Sequence, residues 1–410
     1  MNTTNYRAII PLLLIIVIDT MGVGIFFPVL SPLFMSRHGL LPVSAGLGER
    51  DLFYGLMLGL FSLFMFLSSP VLGDLSDQIG RKKVLLICLF GTALSSGICA
   101  ISIQYHLLLL LVIGRVLGGM MAGCQAIASA VIMDVSPENK KTANLGLISL
   151  SSCIGFMIGP LLGGLFSNSD LVHWFSYATP FWVDALLALL NGSLLFLTFN
   201  ETFKNEKPLQ LNWQRQIAVY VDAVKHSVIF KLSLALLCSE TAWALYFQFM
   251  PIYLVQHLNN TSQQIGYFMS FIGLMMGITF LFFLRIALKH FHDKDIVKFG
   301  ITLAFLGLFI SLIFKSIVAI WILGAVISVG GALAWSPFLS LFSKAVSEDQ
   351  QGWAMGVSLG VSSLGWIPGI ILTSVLDYIN PSLPFLIASI FMALSFWMIT
   401  KVSKIIKVSP

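Results

Sequence analysis

Apolar residues occur along this chain in long blocks, and short polar segments separate one block from the next. Each block is close to the ~20 residues that an α-helix needs to cross ~30 Å of hydrocarbon. The blocks lack the alternation of apolar and polar positions that a transmembrane β-barrel requires. The pattern predicts an all-α integral membrane protein with twelve transmembrane helices. Their predicted positions are 8–35, 51–72, 84–103, 107–132, 143–167, 177–199, 229–257, 265–286, 296–314, 317–343, 352–377 and 382–402.

The basic residues of the polar segments indicate which helix ends are cytoplasmic. If the amino terminus is cytoplasmic, all but four of the 23 lysine and arginine residues fall in cytoplasmic segments. Arg37, Arg50 and Lys315 would lie in outer loops, and Arg115 lies within a span. Because loops rich in lysine and arginine stay on the cytoplasmic side, we expect both termini there. We expect the helices to lie in a bacterial inner membrane.

The composition of the 410 residues agrees with a membrane protein and argues against other classes. Charged residues make up 10% of the chain, against about 25% in soluble domains, and the mean hydropathy is +0.92. The net charge of +5 follows from the basic cytoplasmic loops, so no nucleic-acid partner is expected. The five cysteines all fall in predicted spans without metal-ligand or disulfide spacing. We expect membrane lipid around the chain, with neither a metal nor a cofactor.

The longest polar segment separates two groups of six predicted helices. This segment, ETFKNEKPLQLNWQRQIAVYVDAVKHS, runs from Glu201 to Ser227 and follows the sixth span. The predicted organisation is an amino-terminal six-helix bundle over 1–200, a cytoplasmic linker over 201–228 and a carboxy-terminal six-helix bundle over 229–410.

The two predicted bundles contain matching segments, which indicates an internal repeat. GLISLSSCIGFMIGP in the fifth span and GVSLGVSSLGWIPGI in the eleventh have three glycines at identical spacing. Asp19 in the first span and Glu240 in the seventh each lie about eleven residues, or ~16 Å, into their helices. Related bundles with acids near the bilayer midplane predict a transporter whose site lies between the halves.

Asp19 is the main candidate functional residue in this pattern. A carboxylate at the bilayer centre costs at least ~2.5–3.5 kcal/mol unless it is paired, protonated or hydrated. We expect Asp19 to bind and release a proton and to contact substrate. Arg115 is the expected counter-charge, close to Asp19 in one conformation and distant in another. The alternative is a static buried ion pair. Asp184 and Asp377 lie nearer the outer ends of their spans, and no role is assigned to them.

Glu240 lies in a run of aromatic residues, ETAWALYFQFMP, which includes Trp243, Tyr246 and Phe247. A carboxylate beside aromatic rings can hold a flat cationic molecule by charge and cation–π contact. We expect these four residues, together with Trp335 in the tenth span, to contact substrate. Glu240 as a second proton-coupling residue is a further possibility. Aromatic residues at helical spacing are also typical of a helix core or a lipid-facing surface.

The segment GDLSDQIGRKK between the second and third spans holds five charged side chains in eleven residues. Gly73 and Gly80 permit a tight chain reversal and close approach. Asp77 can pair with Arg81 and Lys82 or with the end dipoles of neighbouring helices. We expect these five named residues to form a charged latch that holds in one conformation and opens in another. The alternative is a basic anchor on the cytoplasmic side.

The fifth span carries closely spaced glycines. Gly155, Gly159 and Gly163 form one face of small residues, and Gly164 follows them. Pro160 lacks a backbone donor and is expected to kink the helix. We expect this face to pack against a helix of the second half, where close contact would limit leak. The alternative is ordinary helix packing.

These segments resemble known motifs. G-x-L-S-D-x-x-G-R-K between the second and third spans resembles the signature loop of the major facilitator superfamily, with Gln78 in place of the usual basic residue. DTMGVGIFFPVL, GRVLGGMMAG and GFMIGPLLGG, in the first, fourth and fifth spans, are similar to drug:proton antiporters of that superfamily, above all to the tetracycline-efflux branch. The resemblance implies two pseudo-symmetric six-helix bundles, alternating access, and proton coupling through Asp19 and Arg115. It also marks the fifth-span glycines as an antiporter motif.

One departure from the tetracycline pumps limits the substrate. Those pumps typically carry further acids in the third and ninth spans and a histidine in or near the eighth, which this chain lacks in its matching runs. We therefore expect no tetracycline–metal site. The expected protein is a monomeric proton antiporter, not an enzyme, that exports small amphipathic, drug-like molecules. The alternative is an exporter or importer of a specific metabolite such as a siderophore, an amino acid or a sugar derivative.

Overall fold

The computed structural model describes residues 6–36, 39–134, 136, 141–201, 221–347 and 350–402, and over these residues the chain is helical without a strand. The helices are α1 (Tyr6–Met35), α2 (Leu47–Ile79), α3 (Arg81–Gln104), α4 (Leu108–Met121), α5 (Cys124–Asp134), α6 (Lys141–Phe166), α7 (Thr179–Thr198), α8 (Ser227–Leu258), α9 (Ser262–Ile278), α10 (Leu284–His290), α11 (Asp293–Ile310), α12 (Ile317–Lys344), α13 (Gln351–Ile379) and α14 (Leu383–Val402). Hydrocarbon offers no hydrogen-bond partners, so apolar segments satisfy their backbone groups within helices. The predicted fold class is confirmed.

Each of the twelve predicted spans coincides with one helix or with consecutive helices. In the described part of the chain, nine helical segments are long and apolar enough to cross a membrane. The predicted fourth span, 107–132, is divided into α4 and α5 at Ala122 and Gly123. The ninth and eleventh spans correspond to α11 and α13. A π-helical segment, Thr279–Phe283, connects α9 to α10 within the eighth span.

The chain separates into two compact units. The first unit comprises Met1–Leu211 and Leu254–Gly273, and the second comprises Asn212–Tyr253 and Leu274–Pro410. The end of α8 and most of α9 therefore group with the first unit. The predicted domain boundaries, 1–200, 201–228 and 229–410, stay a prediction. Most of the predicted linker falls outside the described residues.

The apolar core of the first unit surrounds the beginning of α1. Its members are buried residues of α1, α2, α3, α5 and α7, among them Ile9, Leu12, Ile15 and Ile16, together with Phe199, which directly follows α7. On α1 this core ends at Ile16, one turn before Asp19. Two further members of this core, Cys88 and Cys124, interact with Asp19.

α1 and α6 pack with their backbones in close contact. A Cβ atom added at Gly155 or Gly159 would collide with α1, in the second case with the carbonyl oxygen of Met21. At Gly163 the added atom would lie 2.7 Å from the carbonyl oxygen of Ile25. Gly155, Gly159 and Gly163 therefore face α1, and the second-half helix expected to contact this face does not do so at these three positions. The three glycines leave no side chain between the two helix axes.

Neighbouring residues of the two helices extend the same contact. A Cβ atom at Gly24 would lie 2.7 Å from Cδ of Pro160, so the proline ring fills the space that the glycine leaves. Gly164 faces another helix, because an added Cβ would lie 2.8 Å from the Ser262 carbonyl oxygen and 3.1 Å from Gly266 Cα. This second helix is α9, which corresponds to the eighth predicted span, so at Gly164 the motif contacts a helix of the predicted second half, as expected.

The second unit repeats the glycine packing with α8 and α13. A Cβ atom at Gly365 would lie 2.5 Å from Cβ of Glu240, and one at Gly369 would lie 2.7 Å from Cβ of Ala244. Gly365 and Gly369 match the glycines of α6 that contact α1 in the predicted repeat. The internal repeat is therefore present in the helix packing as well as in the amino-acid sequence.

The repeated packing shows how the two predicted acids correspond. Gly155 meets Thr20 in the first unit, as Gly365 meets Glu240 in the second. Glu240 is thus equivalent to Thr20, and Asp19 falls one position away. One residue changes the depth by about 1.5 Å and the direction by about 100° around the helix. The two acids share a depth within their helices but point from different helix faces.

Replacing Gly159 by alanine tests the α1–α6 contact. In Gly159→Ala the new methyl group meets the Met21 carbonyl oxygen, so the helices must separate. Overpacking of this kind costs about 1–3 kcal/mol. We expect a lower midpoint of thermal unfolding for the detergent-purified protein.

Gly356→Ala is the matched control, because no atom of the described residues lies within 4 Å of a Cβ atom added there. Alanine is favoured over glycine within a helix by up to about 1 kcal/mol, so this variant should be as stable as the wild type or more stable. Equal midpoints for the two variants would contradict the close contact.

Candidate functional site

α1 presents two opposite faces to the helices around it. The face against α6 consists of residues about one turn apart: Val17, Met21, Gly24 and Pro28. The other side of the helix carries Asp19, Gly22 and Phe26, which are also about one turn apart. Because the first face is held against α6, the second is turned towards α3, α4, α5 and α7.

Asp19 is half-buried and lies among thiols and another acid. The thiol of Cys124 on α5 donates to Asp19 Oδ1 at 3.7 Å, which is a weak hydrogen bond. Cys88 on α3 and Asp184 on α7 lie within range of electrostatic interaction with the carboxyl group. Among the described residues no cation forms an ion pair with Asp19.

Arg115 is buried on α4, with 3% of its surface exposed. Its Nε donates to the carbonyl oxygen of Met57 at 2.9 Å. Its guanidinium carbon lies 3.7 Å from the ring centroid of Phe26 and 4.4 Å from that of Phe61. Cation–π contact and a carbonyl acceptor therefore stabilise the buried charge.

The expected approach of Arg115 to Asp19 does not occur in this structure. Arg115 contacts α1 at Phe26, two helical turns or about 10 Å beyond Asp19. Sequence reasoning placed Asp19 near the midplane and Arg115 within a span, but it could not measure this offset. The static ion pair is likewise not formed. The predicted role of both residues in proton coupling stays a prediction.

Asp184 is a site residue that sequence reasoning left without a role. It is 2% exposed, and the hydroxyl of Ser96 donates to its Oδ2 at 2.6 Å. A Cβ atom at Gly22 would lie 3.3 Å from both carboxylate oxygens. The structure brings Asp184 to α1 one turn from Asp19. The signal that could have found it is its position within an apolar span, because acids there are functional by default.

Glu240 forms the centre of a different arrangement in the second unit. It is 8% exposed and accepts a hydrogen bond from Trp366 of α13. The indole N–H is the only polar group of tryptophan, so it is the donor. Trp366 follows Gly365, and the close α8–α13 contact therefore positions this donor.

Three rings next to Glu240 form an aromatic cluster, which we define as Trp243, Phe247 and Trp366. Trp243 and Phe247 are stacked with centroids 5.7 Å apart, and Phe247 meets Trp366 edge-on at 6.1 Å. A Cβ atom at Gly331 on α12 would lie 3.3 Å from the Trp243 ring. The arrangement combines one carboxylate with several π surfaces, as predicted from the ETAWALYFQFMP run.

Tyr246 and Trp335 are less closely associated with the cluster. Tyr246 lies 6.2 Å from Trp243 between ring centroids, but it also lines a separate small cavity with Met250 and Phe385. Trp335 lies one turn beyond Gly331 on α12, and no ring contact of Trp335 occurs among the described residues. Their predicted contact with substrate stays a prediction.

The predicted latch is mostly helical. α2 continues to Ile79 and α3 begins at Arg81, so Gly80 alone interrupts the helices. Among the described residues no atom lies within 4 Å of a Cβ atom added at Gly73, so the close approach expected there does not occur with this part of the chain. The side chain of Asp77 falls outside the described residues, so its predicted pairing stays a prediction.

A residue distant in sequence holds the turn at Gly80. Glu201, just after α7, accepts hydrogen bonds from the backbone N–H groups of Arg81 and Lys82, each at 3.1 Å. Gly80 has φ of 104°, and a Cβ atom there would lie 2.5 Å from Glu201 Oε2. Lys82 Nζ donates to the Phe196 carbonyl oxygen at 2.8 Å. Glycine is therefore required both by its conformation and by the carboxylate.

The ionisable residues do not assemble into a metal centre in the described ranges. No group of three or more histidine, cysteine, aspartate or glutamate side chains has a metal-binding arrangement there. The chemistry available at these sites is proton exchange at carboxyl groups and binding by charge and aromatic surface.

Comparison with known proteins relates these features to a family. A family model described as Major Facilitator Superfamily matches residues 12–370 and 232–405. The chain is 27% identical over 380 residues to the tetracycline resistance protein, class C, of Escherichia coli, covering 90% of this chain and 89% of that protein. It is 24% identical over 379 residues to the quinolone resistance protein NorA of Staphylococcus aureus (strain MSSA476), covering 90% and 89%.

Solved structures share the fold. A bacterial homologue of the human lysosomal transporter Spinster, in an inward-facing and occupied conformation, superposes with a TM-score of 0.79 at 13% identity. The match covers 100% of both chains. At this identity the likeness concerns the fold alone.

Replacing Glu201 tests how the turn at Gly80 is held. Glu201→Ala leaves two N–H groups at the start of α3 without their acceptor, a loss comparable to removing a helix cap, about 0.5–2 kcal/mol. We expect faster amide hydrogen exchange at residues 81–84. Asp170→Ala, at another exposed acid, is the control and should leave these amides unchanged. Wild-type exchange in Glu201→Ala would contradict the capping role.

Proposed function

The chain belongs to the Major Facilitator Superfamily, and we propose that it exports small amphipathic, drug-like molecules in exchange for protons. As a member of that family with several apolar helices, it is a multi-pass membrane transporter of small molecules and not an enzyme. The predicted family is confirmed. The relatives named for tetracycline and quinolone resistance support drug-like molecules as the substrate class and export as the direction.

The surroundings of Asp19 carry the proposal of proton exchange. The side chain is half-buried within an apolar helix, beside thiols and another acid. A carboxyl group in such a place is stable when it is neutral, and it ionises at low cost only where water or a cation reaches it. A change of conformation that alters this access would make Asp19 take up and release a proton.

Arg115 supplies the second part of the proposed coupling. Its charge is satisfied by two rings and one carbonyl group, and a nearby carboxylate competes well with these partners. A shift of α4 along α1 would bring the guanidinium towards Asp19 and favour its ionised form. Proton entry across ~100 mV supplies about 2.3 kcal/mol per charge, which corresponds to a roughly 50-fold concentration ratio.

Glu240 and the aromatic cluster support binding of flat cationic molecules. The carboxylate lies beside the stacked Trp243 and Phe247, so one bound molecule can contact both charge and π surface. Buried charge and ring faces discriminate by charge and flatness more than by a particular hydrogen-bond pattern. That selectivity fits drug-like molecules better than sugars or amino acids.

The remaining proposals concern the setting of the transporter. The distribution of lysine and arginine supports cytoplasmic termini. The bacterial relatives support a bacterial inner membrane, and we propose that one chain forms the working unit.

Neutralising Asp19 tests the proposed exchange. The assay measures proton release from detergent-purified protein on addition of lipophilic cations, antibiotics, or a panel of sugars, amino acids and siderophores. We expect release with the lipophilic cations and none with Asp19→Asn, because the amide cannot give up a proton.

Asp170→Asn is the matched control, since Asp170 is an exposed acid that should not take part. It should release protons as the wild type does. Full proton-driven transport by Asp19→Asn in membrane vesicles would contradict the assignment, and release with the metabolite panel alone would support the alternative substrates.

Replacing Trp243 tests the aromatic cluster. Trp243→Leu removes a π surface worth about 0.5–2 kcal/mol to a cation, so affinity for flat cations should fall about 2- to 30-fold. Trp182→Leu is the control, because Trp182 on α7 is 45% exposed on the surface of the first unit. Equal affinities of the two variants in equilibrium binding would show that the cluster does not contact substrate.

A further inference from the structure

We propose that Asp184 is a second proton-binding carboxyl group of the first unit and that its protonation is coupled to that of Asp19. The proposal rests on the proposed proton exchange, because it names a further residue of the same pathway. It would make the proton site of the first unit a pair of carboxyl groups on α1 and α7.

The site around Asp184 is enclosed and holds the carboxyl group in one place. Only 2% of its surface is exposed, and Ser96 of α3 donates to one oxygen at 2.6 Å. The other oxygen, Oδ1, has no hydrogen-bond partner in the part of the chain that the structure describes. An acidic oxygen buried without a donor is costly when ionised, whereas a proton placed on it removes that cost.

Gly22 allows α1 to approach this carboxyl group. A Cβ atom at Gly22 would lie 3.3 Å from each oxygen of Asp184, which is tighter than ordinary contact. A side chain at this position would therefore require Asp184 to shift by a few tenths of an ångström. Gly22 lies one turn from Asp19 on the same face of α1, and the two acids interact electrostatically. The glycine thus keeps the pair together.

The charged and titratable groups around Asp184 do not neutralise it directly. α1 contributes Asp19, and α3 contributes Cys99, which interacts electrostatically with both Asp184 and Arg115. Arg115 itself donates a hydrogen bond to the Met57 carbonyl oxygen and lies over two aromatic rings. From α6, Cys153 has no electrostatic interaction with Asp184. The charged residue with which Asp184 interacts electrostatically is therefore another acid, Asp19.

Two acids in this position resist simultaneous ionisation. Like charges close together in a medium of low dielectric repel strongly, so such a pair holds one proton over a wide pH range. Their protons leave in two steps that belong to the pair and not to either residue. A purely structural Asp184, holding α7 to Ser96, needs only an oxygen acceptor, and an amide would serve equally well.

Infrared difference spectroscopy on the purified full-length protein tests the pair without substrate. Protonated carboxyl groups give C=O bands, and their intensity is followed between about pH 4 and 9. We expect Asp184→Asn to remove one titrating component and to shift the midpoint of the Asp19 component by about one pH unit or more, because the repulsion is lost. Asp19→Asn should produce the reciprocal change.

Asn191→Ala is the matched control on the same helix. Asn191 is 3% exposed, lies two turns along α7 and, like Asp184, has polar atoms without partners among the described residues, but it does not ionise. It should leave both midpoints unchanged. If Asp184→Asn does not fold, Ser96→Ala keeps both acids and should move the midpoints without removing a component.

Two results would overturn the proposal. One is that Asp184→Asn removes no titrating component, and the other is that the Asp19 midpoint stays unchanged when Asp184 is neutralised. Proton-driven efflux by wild-type vesicles is measured in parallel. A coupled titration without such efflux would reject the proposed function and leave the acid pair standing. Efflux without a coupled titration would reject the pair alone.

Discussion

The close backbone contact between α1 and α6 is the constraint on which the first unit depends. Gly155, Gly159 and Gly163 leave no side chain between the two helices, and Pro160 fills the space beside Gly24. Small residues fix the rotation of a helix more tightly than its apolar character does, because lipid and protein interior are similarly apolar. With one face of α1 held against α6, the opposite face can only point towards α3, α4, α5 and α7.

That rotation decides how the intramembrane charges are stabilised. The acids and the arginine lie at successive levels along α1, with Asp19 first, Asp184 beside Gly22, and Arg115 at Phe26. Among the described residues, none of the three forms an ion pair with an opposite charge. Ionisable groups held in this way keep the ability to change partner or protonation state, which a tight ion pair would lose.

The second unit uses the same packing for different chemistry. Gly365 and Gly369 bring α13 against α8, but here the acid itself lies at the contact, and Trp366 follows directly after the glycine. The carboxyl group is therefore next to aromatic rings and not next to another acid. The same glycine-mediated helix contact thus accompanies two neighbouring acids in the first unit and a carboxyl–aromatic arrangement in the second.

The sequence by itself determined the helical class, the positions of the spans, the glycine repeat and the family, because each follows from hydrophobic length, spacing or local motif. It also identified Asp19 and Glu240 as candidate site residues, since an acidic residue within an apolar span can be recognised from the sequence alone. Only the tertiary structure decided which groups meet. Asp19 lies near Asp184 and not Arg115, and Glu201 holds Gly80, because helix rotation and axial offset arise from contacts between residues far apart in the chain.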